Sequence, residues 1–233
     1  HEVVEDRFKR TVNRDQIART EFVEMGFHSR LQVTRALEGW GSSRSAWLYA
    51  ATVKDGLALP SGHDAHAELT VERRVDSRGE PLDHQGLLLR YYGPQSSRAA
   101  FYGSLALDRI GTAAAPDLLS IGGDSGLRGY PLRYQQGEQR VLLTLEQRYY
   151  TDWYLFRLVR VGAAAFVDAG RAWKGVNQNT TNGGWLGDAG VGLRLSLDRT
   201  AFANVLHIDA AIPFDREPGI RAVEFVVKTQ LTF

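Results

Sequence analysis

Apolar and polar residues alternate along most of this chain, most clearly in its second half. In the run 140–150 one parity reads Val141, Leu143, Leu145, Gln147 and Tyr149, and the other Arg140, Leu142, Thr144, Glu146 and Arg148. A strand sends successive side chains to opposite faces, so this run has one apolar and one charged face. Residues 159–170 repeat the pattern, with Val159, Val161, Ala163, Ala165, Val167 and Ala169 opposed by Arg160, Gly162, Ala164, Phe166, Asp168 and Gly170. So do 188–197, where Ala189, Val191, Leu193, Leu195 and Leu197 alternate with Asp188, Gly190, Gly192, Arg194 and Ser196, and 204–212, where Leu206, Ile208, Ala210 and Ile212 oppose Val205, His207, Asp209 and Ala211. The last run, 223–233, sets Val223, Phe225, Val227, Thr229, Leu231 and Phe233 against Glu224, Val226, Lys228, Gln230 and Thr232.

Less regular stretches at 3–12, 20–36, 45–58, 64–76, 84–93 and 98–110 bring the expectation to about ten or eleven strands, separated by turn-rich segments such as Pro60-Ser61-Gly62, Gly93-Pro94 and Asp215 to Gly219. The fold class is therefore all-β and antiparallel. Several runs reach ten residues or more, beyond the five or six usual in a soluble sheet and matched to a tilted bilayer span. Two architectures share this alternation: a soluble sandwich with apolar residues inside, and a transmembrane β-barrel with apolar residues outside. Small and aliphatic residues on the apolar parity, charge and glycine on the other, and the cluster Tyr149, Tyr150, Trp153, Tyr154 and Phe156 at one turn favour the barrel, where such aromatics form an interfacial girdle.

Composition narrows the function. Among 233 residues, 28 Lys and Arg balance 27 Asp and Glu, so the net charge of +1 gives no electrostatic footprint for nucleic acid. The absence of cysteine excludes disulfides, thiolate metal sites and cysteine nucleophiles. No apolar run approaches the roughly 18 to 20 residues of a spanning helix, which leaves a barrel open because its strands average out as polar. The chain begins with His1 and not Met, and reads as a mature product or a fragment. It is expected to form one domain over 1–233.

Between the strands ending near Ile110 and starting near Gln139 lies a connection from Gly111 to Glu138, long enough to be functional in its own right. Its stretch Gly122-Gly123-Asp124-Ser125-Gly126-Leu127-Arg128-Gly129-Tyr130 resembles the loop signature of the bacterial surface antigen superfamily, the BamA-, TamA- and FhaC-like outer-membrane barrels. Phe166-Val167-Asp168-Ala169-Gly170 resembles that family's strand motif, and the glycine-rich run 187–195 and terminal Phe233 resemble its last strands. The resemblance implies a barrel in the bacterial outer membrane that inserts or translocates polypeptides. Its partners would be outer-membrane lipid and a client chain, with POTRA domains possible upstream and no nucleic acid. It implies that Leu127, Arg128, Gly129 and Tyr130 sit on a loop inside the barrel and that Arg128 pairs with Asp168, flanked by Phe166 and Gly170. Phe233 would be the terminal assembly signal. Family barrels have more strands than the ten or so here, so the chain is expected to be the C-terminal part of a larger barrel.

Other chemistry is weaker. Gly123-Asp124-Ser125-Gly126 also spells the surroundings of a serine-protease nucleophile, but none of the six histidines lies in a matching context. His63 and His66, with Asp64 and Glu68, fall at a turn entering a strand and read as loop residues rather than metal ligands. No enzymatic turnover, metal or cofactor is expected. A passive porin, or the membrane anchor of an upstream secreted esterase, are the alternatives.

Overall fold

The computed structural model describes residues 1–76, 81–111, 118–174, 183–197, 204–217 and 219–231. In chain order the strands are β1 (Glu2–Val4), β2 (Phe8–Val12), β3 (Thr20–Glu24), β4 (His28–Ala36), β5 (Ala46–Ala58), β6 (Asp64–Asp76), β7 (Pro81–Pro94), β8 (Ala99–Gly111), β9 (Leu119–Ile121), β10 (Gln135–Gly137), β11 (Gln139–Leu155), β12 (Val159–Trp173), β13 (Leu186–Leu197), β14 (Asn204–Pro213) and β15 (Glu224–Leu231). Eleven of them form one antiparallel sheet in the order β1-β4-β5-β6-β7-β8-β11-β12-β13-β14-β15. Among the described residues β1 pairs only with β4 and β15 only with β14, so the sheet has two ends. From β4 onward it is a meander, interrupted once by the segment that carries β9 and β10.

The register places the parities read from the sequence on two distinct faces. Along β12 and β13, Phe166, Asp168, Asp188, Arg194 and Ser196 are buried, while Val167, Val191, Leu193 and Leu197 are exposed. The contrast is wide: Val191 is 62 % and Phe225 72 % exposed, against 1 % for Asp168 and Asp209 and 3 % for Arg194. A soluble sandwich buries its apolar parity. Here the charged parity is the covered one, and the apolar parity forms the outer surface.

Two segments cover the inner face. The first is the N-terminal hairpin, where the structure departs from the sequence reading: 3–12 and 20–36 are each broken in two. β1–β4 and β2–β3 are halves of one long hairpin, bent where Glu5 N–H donates to the Phe27 carbonyl (2.9 Å) and Met25 N–H to that of Arg7 (2.8 Å). Gly26 makes the bend possible, because a side chain there would run into the Glu5 carbonyl. The bent half turns its tip inward, and Ile17 is buried at 1 % exposure. The second is the long connection, which is not structureless: β9 and β10 form a short antiparallel ribbon.

The aromatic cluster also divides. Trp153, Tyr154 and Phe156 are exposed around the β11–β12 turn, but Tyr150 is buried and donates its hydroxyl to the Arg14 carbonyl at 3.0 Å. Phe233 lies outside the described residues.

Candidate functional site

The connection between β8 and β11 enters the inner face through a small apolar core. Ile121, Leu127 and Tyr130 pack with Ala172 of β12 and Leu186 of β13. Leu127 holds this place in a left-handed conformation (φ 61°), a cost of about 1 to 3 kcal/mol that its complete burial offsets. Gly170 lies against this core, and a Cβ there would come within 2.8 Å of the Val141 carbonyl and 3.3 Å of Leu142 Cδ1.

That packing aims Arg128 at the wall. Its Nε and Nη2 donate to the two carboxylate oxygens of Asp168 at 2.8 and 3.0 Å, a fork on one carboxylate. Nη1 donates to Glu146 at 3.2 Å and Asp209 at 3.1 Å, and the guanidinium carbon lies 3.2 Å from the centre of the Phe166 ring. One side chain thus joins β11, β12 and β14. Burial works against its charge, but Asp168 first, then Glu146 and Asp209, outweigh this and raise the Arg128 pKa above the usual arginine value.

The next two residues complete the attachment. Gly129 N–H donates to Asp188 Oδ2 at 2.9 Å, and the Tyr130 hydroxyl donates to the Gly187 carbonyl at 3.1 Å. A Cβ at Gly129 would meet Asp188 Cβ at 2.7 Å and Pro213 N at 3.0 Å, so only glycine lets the backbone come this close. Asp188 stands opposite Asp168 in the β12–β13 register, so two carboxylates face each other there, and the loop supplies the Arg128 fork to Asp168 and the Gly129 amide to Asp188. The structure therefore brings together Leu127, Arg128, Gly129, Tyr130, Phe166, Asp168 and Gly170.

The motifs do not reveal the rest of the network. Arg194 bridges Asp209 (2.5 Å) and Glu146 (3.1 Å), and Arg148 donates to the other oxygen of Glu146 at 2.9 Å. Glu146, Arg148, Asp188, Arg194 and Asp209 all lie on the charged parity of their strands, which is the signal that could have nominated them. Beside them is a cavity of about 400 Å³, lined by Tyr102, Thr144, Arg128, His207 and Lys228 among others. Ser125 uses its hydroxyl within its own turn, donating to the Gly122 carbonyl at 2.8 Å. His66 sits against Asp64 and Arg14, and His63 against the Tyr91 hydroxyl. Among the described residues no three His, Asp or Glu side chains form a metal-binding group.

No family model matches this chain, and no curated protein is significantly similar to it.

Proposed function

We propose that the sheet is the wall of an outer-membrane β-barrel, or the C-terminal part of one, and that it serves the insertion or translocation of polypeptides. One observation carries the reading: the apolar parity faces out and a paired charge network is buried within. Water cannot stabilise an outer surface bearing Val191, Leu193, Phe225 and Val227, whereas lipid can. Strands of 12 to 17 residues in β11, β12 and β13 are long enough to span when tilted, and the exposed Trp153, Tyr154 and Phe156 at a turn fit an interface.

The two sheet ends and the filled interior favour polypeptide handling over passive diffusion. An unpaired edge is a template for another strand. A loop held to β11, β12, β13 and β14 keeps the wall rigid next to that edge, and two inserted segments occupy space that a porin would leave to water. The motifs resembling the surface antigen superfamily point the same way.

Folding titrations into lipid vesicles test the wall. Val191→Arg places a charge on the outer face and should cost about 2 to 4 kcal/mol near the bilayer midplane. Thr144→Arg places the same charge beside the inner cavity, close to Glu146 and Asp168, and should cost far less. Equal penalties would overturn the reading.

A further inference from the structure

The inner face holds a second buried arginine against a carboxylate and an aromatic ring. At the tip of the β2–β3 hairpin, Arg14 is buried, its Nη1 2.5 Å from Asp64 Oδ1 and its guanidinium carbon 3.5 Å from the centre of the Tyr92 ring. Its Nη2 lies 2.9 Å from His66 Nε2. Arg128 on Asp168 and Phe166 likewise pairs a carboxylate with an aromatic ring under the guanidinium plane. Arg14 divides its two terminal nitrogens between Asp64 and His66 where Arg128 forks on one carboxylate, and the flat stacking on Tyr92 is what favours guanidinium over ammonium. Asp64 and Tyr92 are opposite each other in the β6–β7 register, so this receptacle is built into the wall and does not depend on the hairpin.

We propose that Asp64, His66 and Tyr92 form a guanidinium-binding site, filled by Arg14 in the resting molecule and open to exchange for an arginine of another extended polypeptide. Three features support exchange. The hairpin tip is braced within itself: Glu21 accepts from the Arg14 and Asp15 amides at 2.9 and 3.0 Å, and Asn13 Oδ1 from the Ala18 amide at 2.7 Å. Its internal bonds therefore survive movement about the bend at Gly26, and the wall bonds that must break are those of Arg148 and Tyr150 to the Arg14 carbonyl and of Arg148 to Asp15. A cavity of about 640 Å³ between the hairpin and the wall, bordered by His66, Glu68, Arg90, Tyr92 and Tyr102, gives an incoming chain room to reach the site. Finally, departure of the hairpin removes both cations of the buried Asp64, Arg14 and Lys9 (2.7 Å), leaving it the His66 ring at 2.9 Å, and a buried carboxylate without a compensating cation is unfavourable. Replacement by a second guanidinium restores one of the two cations and lowers that cost, so exchange is favoured over simple opening. Only the identity of the occupant, a client polypeptide, rests on the function proposed above.

The lack of native cysteine makes Ile17→Cys a unique thiol, buried while the hairpin is seated. Its alkylation by a water-soluble maleimide is measured on the full chain folded in detergent micelles, with N-acetylarginine amide or N-acetyllysine amide added. The arginine amide should accelerate alkylation about tenfold by competing with Arg14, and the lysine amide should not. In Arg14→Ala, alkylation should be fast without ligand and slowed by the arginine amide, which refills the vacant slot. Asp64→Asn should abolish both responses. Unchanged alkylation at saturating arginine amide, or an equal response to lysine amide, would overturn the proposal. If Ile17→Cys does not fold, hydrogen exchange at the amides of residues 14–21 of the unmodified chain reads the same opening. The micelle assay is independent of insertion into lipid, so failure of the vesicle titration and failure of this site are separate results.

Discussion

Arg128 is the residue on which the inner face depends most, because three carboxylates from three strands share its charge. Arg128→Ala leaves Asp168, Glu146 and Asp209 buried with too few cations, and should cost about 3 to 5 kcal/mol, read by denaturant unfolding in micelles. Asp168→Asn should cost less, since the guanidinium keeps Glu146 and Asp209. Asp168→Asn and Arg128→Ala together should be less than additive by about 0.5 to 3 kcal/mol; strict additivity would show that the two do not interact. The sequence marked Arg128 and Asp168 through the motifs around them. It could not show that Glu146 and Asp209 share the same guanidinium. They are on the expected parity, but which charged residues meet depends on the register across β11 to β14 and on how deeply Leu127 seats the loop, neither of which is a local property.

Elements were legible where the side-chain period is two and the chain runs straight. β11 to β15 fall within a few residues of the alternating runs that announce them. The N-terminal hairpin was less legible, because its bend depends on a close approach between Gly26 and Glu5, two segments joined only by tertiary pairing. The tight turn from β11 to β12 shows another local compromise. Leu158 N–H donates to the Leu155 carbonyl at 2.9 Å, and both central residues, Phe156 (φ 51°) and Arg157 (φ 52°), are left-handed. This is the backbone of a type I′ turn, which Asn-Gly adopts without the strain that Phe and Arg carry. Replacing Phe156-Arg157 by Asn-Gly should raise stability by about 1 to 2 kcal/mol in micelles. In lipid the gain should shrink if Phe156 anchors the turn at the interface, and comparing the two media measures that anchoring.

At the scale of the whole molecule, the two inserted segments are joined through Arg148. Its Nε donates to Glu146, which Arg128 also uses, and its Nη1 donates to the Arg14 carbonyl at 2.6 Å and to Asp15 at 3.2 Å. Arg148→Ala should therefore loosen both segments, raising the alkylation rates of Ile17→Cys and of Leu127→Cys measured in separate single-cysteine chains. A response at Ile17 alone would mean that the segments are held independently. Such coupling lay beyond the sequence, in which Asp15, Glu146 and Arg128 are only three charged residues on different segments. What the sequence by itself determined is the all-β class, the division of each strand into an apolar and a charged face, and the long connection as a place of special chemistry, because alternation, turn residues and loop length are local and follow from the geometry of a strand. Tertiary structure alone decided that the N-terminal hairpin bends to fill the charged face, that Arg14 is seated on Asp64, and that Arg128 is shared by Glu146 and Asp209 as well as Asp168, because burial and ion pairing depend on which distant strands the fold brings together.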